Sequence, residues 1–568
     1  MDPKLKLTIQ GNPNEELHLL LRLRNPDVVP KYVKVVSRFK DIISCRILRK
    51  HLLMVYTDDA TFSLKAPQVI PVNTAIENTD FDDVELVESL REKGTAQSQK
   101  SNVVFGIIDF GFDFTHPNFT DAKGNTRFEK IWVQALKSDE ENAYGYGKII
   151  DAEVLNAANA TKHPFKVAKY HPGVADFSGR GMHGTHVLGI AASSGKVGRK
   201  GYAGDSAIIA VDMGANYVNG SDLSLGDSVK LIEGIDFILK QAGDRPCVIN
   251  MSLGGHGDAH SGQTLVERAL NNALKKRPGL VIVQSTGNYF NANCHHSGKL
   301  IQDEVKTLEW IFKNKDKTPN EMEIWYEGDD EFTIEIYDEA YQLVKKMPAF
   351  KDMVFNVDET VDAVIFHRKR EPNTLKNHIN IILTGRPITS KLYVHIIGSK
   401  VKNGVYHAYI ERDDRGQSHF NKSQIDTNGT TGSICNAPLV ITVGAYDQRS
   451  AYKNPLSFSS AGPTSDGRMK PEVVAPGSKI MASKSASRFE NRASGRLTAK
   501  SGSSMAAPYV ASLAVKVLES HPTINIYALR QYLFKHCTPY KVLNGNTKNK
   551  TGFGAINALA LLQSFSKS

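Results

Sequence analysis

Between residues 103 and 295, and again from 432 onward, short apolar runs alternate with longer stretches of helical spacing. The apolar runs are 103–108, 207–211, 247–251, 280–283 and 439–443, and the helical stretches are 184–193, 223–241, 263–275, 503–519 and 526–536. Runs without in–out alternation imply strands covered on both faces. The pattern therefore predicts an α/β domain built on a doubly wound, mostly parallel sheet. Residues 296–430 break the rhythm. Alternating β-rich runs at 322–326, 332–336, 364–367, 378–383, 392–397 and 405–410 are separated by turn residues such as Gly328-Asp329-Asp330 and Asn403-Gly404. This is the pattern of an inserted antiparallel β-sandwich.

Ahead of the α/β region, residues 17–23 read as a strand, 29–39 as a helix, 42–48 and 52–56 as strands, 60–64 as a short helix and 68–72 as a last strand. That β-α-β-β-α-β order predicts a ferredoxin-like α+β unit. Residues 88–101 are polar and charged without apolar periodicity, and read as a linker. The chain accordingly divides into an N-terminal unit with its linker (1–95), a first α/β part (96–296), the insertion (297–430) and a second α/β part (431–568).

Composition narrows the class. Hydrophobic residues make up 41% and charged residues 23% of the 568, a soluble globular balance. No apolar run has transmembrane length, and the first residues lack the basic-then-apolar layout of a secretory leader, so a cytoplasmic protein is expected, with secretion by another route left open. Five cysteines, scattered and odd in number, without C-x-x-C spacing, argue against a disulfide framework and against a zinc site. Asn293-Cys294-His295-His296 reads as a loop holding two histidines, and no metal ligand is assigned. The net charge of +10 is spread along the chain without a dense basic run, so neither a nucleic-acid nor a membrane partner is expected.

Three islands carry candidate chemistry. The apolar run from Val103 ends in Asp109-Phe110-Gly111. His183-Gly184-Thr185-His186-Val187 opens a helix of small residues, and Gly502-Ser503-Ser504-Met505-Ala506-Ala507-Pro508 opens another. Each alone has an ordinary structural explanation: a strand-end turn carboxylate, a helix start, an N-cap serine. Together, in the order Asp…His…Ser, they resemble the subtilisin family of serine peptidases, whose triad has that chain order. The island HGTHV stands unaltered. GTSMAAP appears with Ser503 in place of threonine, and D-T/S-G appears as Asp109-Phe110-Gly111, where Phe110 replaces a small hydroxylated neighbour. Ser285-Thr286-Gly287-Asn288, Ser252-Leu253-Gly254-Gly255 and Val473-Val474-Ala475-Pro476-Gly477 resemble further family segments, so the likeness covers about 100–295 and 432–565.

The resemblance implies a serine endopeptidase. Ser504 would be the nucleophile, His183 the general base and then acid, and Asp109 the group that orients the imidazole. Asn288 would supply an oxyanion donor. Ser252, Leu253, Gly254 and Gly255 would pair with an extended protein or peptide substrate. No cofactor is implied for the chemistry. Calcium, bound by many relatives, remains possible as a structural ion without assigned residues. The N-terminal unit is similar to the subtilase propeptide, a folding chaperone and intramolecular inhibitor. The insertion resembles the jelly-roll insertion of the clostridial spore-germination subtilases. Catalytically silent relatives are recognised by lost triad residues, whereas here all three are present. A binding protein built around the β-sandwich would leave the three islands unexplained.

Overall fold

The structure is a computed structural model. It describes residues 1–71, 100–137, 140–214, 216–218, 222–313, 319–359, 361–385, 389–411, 418–540 and 545–565. Among these the largest sheet has ten strands, in the order Cys537–Thr538, Ala555–Ile556, Val473–Pro476, Ile441–Tyr446, Leu280–Ser285, Cys247–Met251, Val104–Asp109, Ala207–Asp212, Phe128–Val133 and Lys148–Asp151. Every pairing is parallel except those of the two edge strands, Cys537–Thr538 and Lys148–Asp151. The central strands are buried at every position, which is why they read as unbroken apolar runs. Register pairs Asp109 with Asp212 at the carboxyl end of neighbouring strands, where doubly wound sheets place their ligands.

Helix Ser503–Ser520 packs across four strands of this sheet and against helix His183–Ala192. Residues 223–241, expected as one helix, divide into strand Asp222–Asp227 and helix Ser228–Ala242. The break has a local cause. Asp227 caps the helix by accepting the N–H groups of Val229 and Lys230 at 2.8 and 3.0 Å.

The N-terminal unit corrects several expectations. Its strands are Glu16–Leu23, Lys34–Phe39, Ile42–Leu48 and Thr61–Lys65, with helix Leu52–Thr57 before the last. Residues 29–39 are therefore turn followed by strand rather than helix, 52–56 are helix rather than strand, and 60–64 fall on a strand. The sheet is antiparallel, with the first and third strands side by side at its centre and the fourth and second at its edges. That is the strand order of a ferredoxin-like unit with its first helix missing. Pro26 and Pro30 lie in the connection where that helix would run and disfavour it. Helices Ser228–Ala242 and Leu265–Lys276 of the α/β domain pack against the sheet. The strand expected at 68–72 is Val69–Pro71, and it leaves the unit to pair antiparallel with Asp222–Asp227. Most of the expected linker, 88–101, lies outside the described residues.

Between His295 and Phe420 the described chain forms two antiparallel sheets, of six and five strands, around one apolar core that includes Trp310, Tyr326, Phe332 and Tyr406. The six runs expected from alternation all fall on strands. Strands His295–Lys299, Val305–Ile311, Leu343–Met347, Met353–Asn356 and His419–Phe420 lie outside those runs.

Candidate active site

Asp109 closes its strand, and its Oδ1 stands 2.8 Å from Nδ1 of His183. The same oxygen accepts the Phe110 N–H at 2.8 Å. His183 is the first residue of its helix, and main-chain bonds seat that helix on the aspartate turn. Gly184 N–H donates to Phe110 O at 2.8 Å and Thr185 N–H to Gly111 O at 3.0 Å. The Thr185 hydroxyl donates to Gly111 O at 2.7 Å while accepting Asp113 N–H at 2.9 Å. A Cβ on Gly184 would lie 2.6 Å from Phe110 O, so only glycine permits this approach. The imidazole is thus positioned by backbone as well as by the carboxylate.

Phe110, the departure from the family pattern, lies flat against the His183 ring, 5.5 Å between centroids and 6° between planes. The Nε2 of His183 is buried without a hydrogen-bond partner among the described residues, as is Oδ2 of Asp109. The second histidine of the island, His186, faces the carbonyls of Ile480 and Thr498 at 2.9 and 3.0 Å. Burial, with the Lys500 charge, holds its pKa well below the usual histidine value, so it is a neutral strut.

Ser504 is the second residue of helix Ser503–Ser520, where backbone N–H groups lack helical partners and favour negative charge. The residue before it ties the helix to Asn288. Ser503 donates from its N–H and its hydroxyl to Asn288 Oδ1, at 3.0 and 3.1 Å, and its hydroxyl also reaches Gly287 O at 3.1 Å. Ser503 thus performs the bonding that threonine would supply. With Oδ1 committed, the Asn288 amide is oriented and Nδ2 is its remaining donor. The segment from Ser252 to Gly255 enters from the next strand: Ser252 Oγ donates to Ser504 O at 3.1 Å, and Gly255 O accepts Ser433 N–H at 2.9 Å. Asp109 and His183 are therefore hydrogen-bonded, while Asn288, Ser252 and Ser504 converge on one helix start that packs against the His183 helix.

Sequence reading missed Asp212 and Tyr170. Asp212 Oδ2 accepts the Tyr170 hydroxyl at 2.5 Å and Gly111 N–H at 3.1 Å, bracing the turn after Asp109. Burial pushes the Asp212 carboxyl up to about 6. The signal was present, since Asp212 ends an apolar run just as Asp109 does. Around Cys294, His256 Nε2 lies 3.7 Å from the sulfur and His295 bonds His407 at 3.1 Å. Among the described residues no group of three or more His, Cys, Asp or Glu side chains could hold a metal ion.

The chain belongs to the subtilase family, whose sequence signature matches residues 100–304 and 413–554, more than half its length. Among characterised relatives, serine protease AprX of Bacillus subtilis (strain 168) is 32% identical over 129 residues, 21% of this chain and 28% of that protein. Subtilisin DY of Bacillus licheniformis is 31% identical over 118 residues, 21% of this chain and 37% of that protein. The chain thus covers well under two thirds of these relatives. The solved structure of the Clostridium perfringens CspB protease matches with a TM-score of 0.70 at 22% identity, over 82% of this chain and 93% of that one, a likeness of fold.

Proposed function

We propose that this subtilase is a serine endopeptidase acting through Asp109, His183 and Ser504. The observation that carries the reading is the 2.8 Å contact between Asp109 Oδ1 and His183 Nδ1, which fixes the tautomer and leaves Nε2 unbonded. Ser504 Oγ attacks the scissile carbonyl as Nε2 takes its proton; the imidazolium then protonates the leaving amine. Contacts of this kind tighten when substrate binds. Asn288 Nδ2 and the Ser504 N–H hold the oxyanion, and the extended substrate lies along Ser252, Leu253, Gly254 and Gly255. None of these steps requires a metal; a structural calcium ion has no assigned ligands in this reading. A fluorophosphonate probe tests the assignment: wild type is labelled and cleaves peptide, and Ser504→Ala does neither. Labelling that survives Ser504→Ala refutes it.

The N-terminal unit serves in this reading as chaperone and intramolecular inhibitor. Supporting this, its last strand, Val69–Pro71, adds to the α/β domain beside Asp222–Asp227, and Gln68 and Ser228 exchange bonds at 2.9 and 3.0 Å. Cleavage within 79–100 would be self-processing. Matching N-termini of wild type and Ser504→Ala, read by mass spectrometry, would dismiss it. Five free thiols, four of them buried, favour a reducing compartment such as the cytoplasm. No helix of the described residues is long and apolar enough to cross a membrane. The substrates would be proteins or peptides, with neither nucleic acid nor membrane as partner.

A further inference from the structure

The inserted β-sandwich reaches the substrate wall through one carboxylate. Glu411 directly follows strand Val405–Ile410. Its Oε1 accepts the His256 N–H at 2.7 Å and its Oε2 accepts the Gly257 N–H at 2.9 Å. These amides immediately follow Gly254-Gly255. The carboxylate also occupies the space a side chain there would need, because a Cβ on Gly255 would lie 2.8 Å from Oε1 and one on Gly257 2.8 Å from Oε2. Neither glycine has the left-handed backbone that would otherwise explain its choice. At both positions the Glu411 carboxylate stands where a side chain would begin, joined at Gly257 by Glu323 Oε1 at 3.1 Å.

The rest of the loop leans on the same insertion. His256 Nδ1 is 3.3 Å from Ile410 O, the His260 ring stacks on Tyr409 at 3.9 Å, and Ala259 packs with Trp325 and Tyr409 in a small buried cluster. From the α/β side, Ser433 N–H holds Gly255 O at 2.9 Å and the Tyr289 hydroxyl reaches Gly254 O at 3.4 Å. The wall is therefore clamped between two domains. A carboxylate accepting two main-chain N–H groups is a strong, directional clamp.

We propose that Glu411 is a positioning residue for substrate: it fixes the Gly254–Gly255 backbone against which the peptide pairs, and so makes the β-sandwich part of the substrate-binding machinery. This rests on the peptidase reading above. Glu411 acts on binding in the ground and transition states alike, so its loss raises KM and leaves kcat nearly unchanged.

The test compares wild type, Glu411→Ala and Glu411→Gln on a peptide extending several residues to the amino side of the scissile bond. Fluorophosphonate labelling and thermal melting are measured in parallel. Glu411→Ala is expected to raise KM about tenfold with kcat within about twofold of wild type and an unchanged labelling rate. Glu411→Gln, which keeps one acceptor, is expected to fall between. Where Glu411→Ala does not fold, Glu411→Gln carries the test, with faster amide hydrogen exchange expected at His256 and Gly257. An unchanged KM in a folded variant overturns the assignment, and so does a loss of kcat and labelling together. A wild type that is not labelled overturns the peptidase reading instead, and the assignment with it.

Discussion

Asn288 and Ser503 are joined twice through a single oxygen: Asn288 Oδ1 accepts both the main-chain N–H and the hydroxyl of Ser503. In the proposed site the side chain beside Ser504 therefore sets the rotation of the Asn288 amide and leaves Nδ2 as its donor. Asn288→Ala is expected to lower kcat about 100- to 1000-fold with little change in KM, because the donor acts on charge that exists only in the transition state. Steady-state kinetics on a peptide substrate check this. A comparable rise in KM would place Asn288 in substrate binding instead.

Ser503→Ala separates orientation from donation. The variant keeps Nδ2 and one bond to Oδ1 from the main chain, but it removes the hydroxyl that fixes the amide from a second direction. Turnover is expected to fall about tenfold, well short of the Asn288→Ala loss, and Ser503→Thr is expected to restore it. Equal activity in all three proteins would show that the main-chain bond alone suffices.

Arg46 and Glu233 form a buried two-pronged pair, at 2.7 and 3.0 Å, between the N-terminal unit and helix Ser228–Ala242. Arg46 also donates to Tyr144 O at 3.2 Å. Arg46→Ala strands a buried carboxylate and is expected to cost about 3–5 kcal/mol of stability in the intact chain, whereas Arg46→Met with Glu233→Leu recovers most of it. Denaturant unfolding of the three proteins decides. With the N-terminal unit as inhibitor, Arg46→Ala also shows higher basal peptidase activity than wild type, Ser504→Ala serving as the inactive control.

The site was more legible in the sequence than the N-terminal unit, for a physical reason. Asp109-Phe110-Gly111 and His183-Gly184-Thr185 are short segments whose residue identities, taken together with Gly502-Ser503-Ser504 and in that order, mark the site although its bonds join residues far apart in the chain. Residues 29–39 carry apolar positions compatible with either period, and only pairing with Ile42–Leu48 makes Lys34–Phe39 a strand. At 52–56, Leu-Leu-Met-Val-Tyr could serve in either element. The helix forms where the chain must cross between the parallel strands Ile42–Leu48 and Thr61–Lys65, a long-range constraint. Glu411 was unreadable for the same reason: it lies 155 residues from the amide of His256. Gly255 and Gly257 were visible, but what excludes their side chains was not.

The junction of the three units should respond to pH. A small cavity there is lined by Asp2, Lys4 and Lys65 of the N-terminal unit, Asp258 of the α/β domain, and Glu323 and His378 of the β-sandwich. Lys4 reaches Glu321 at 3.1 Å, Lys65 reaches Glu371 at 3.2 Å, and His378 reaches Glu323 at 3.1 Å. Burial raises Asp258 and Glu323 each to about 7, with neighbouring carboxylates adding to the rise. Burial holds His378 well below the usual histidine value, so it stays neutral across this range. Both carboxyls return toward ordinary values near 4 once the N-terminal unit leaves and water enters. Docking therefore takes up protons between pH 4 and 7: it is strongest at the acid end and is lost progressively as pH rises toward 7. For each proton taken up, the dissociation constant of a unit severed within 72–99 rises about tenfold per pH unit over that window. Retention on gel filtration at pH 5.5 and 7.5 measures it. Asp258→Asn together with Glu323→Gln is expected to flatten the dependence, because neither amide titrates. Tighter retention at pH 7.5 than at 5.5 would show that the ion pairs of Lys4 and Lys65 outweigh the buried carboxyls.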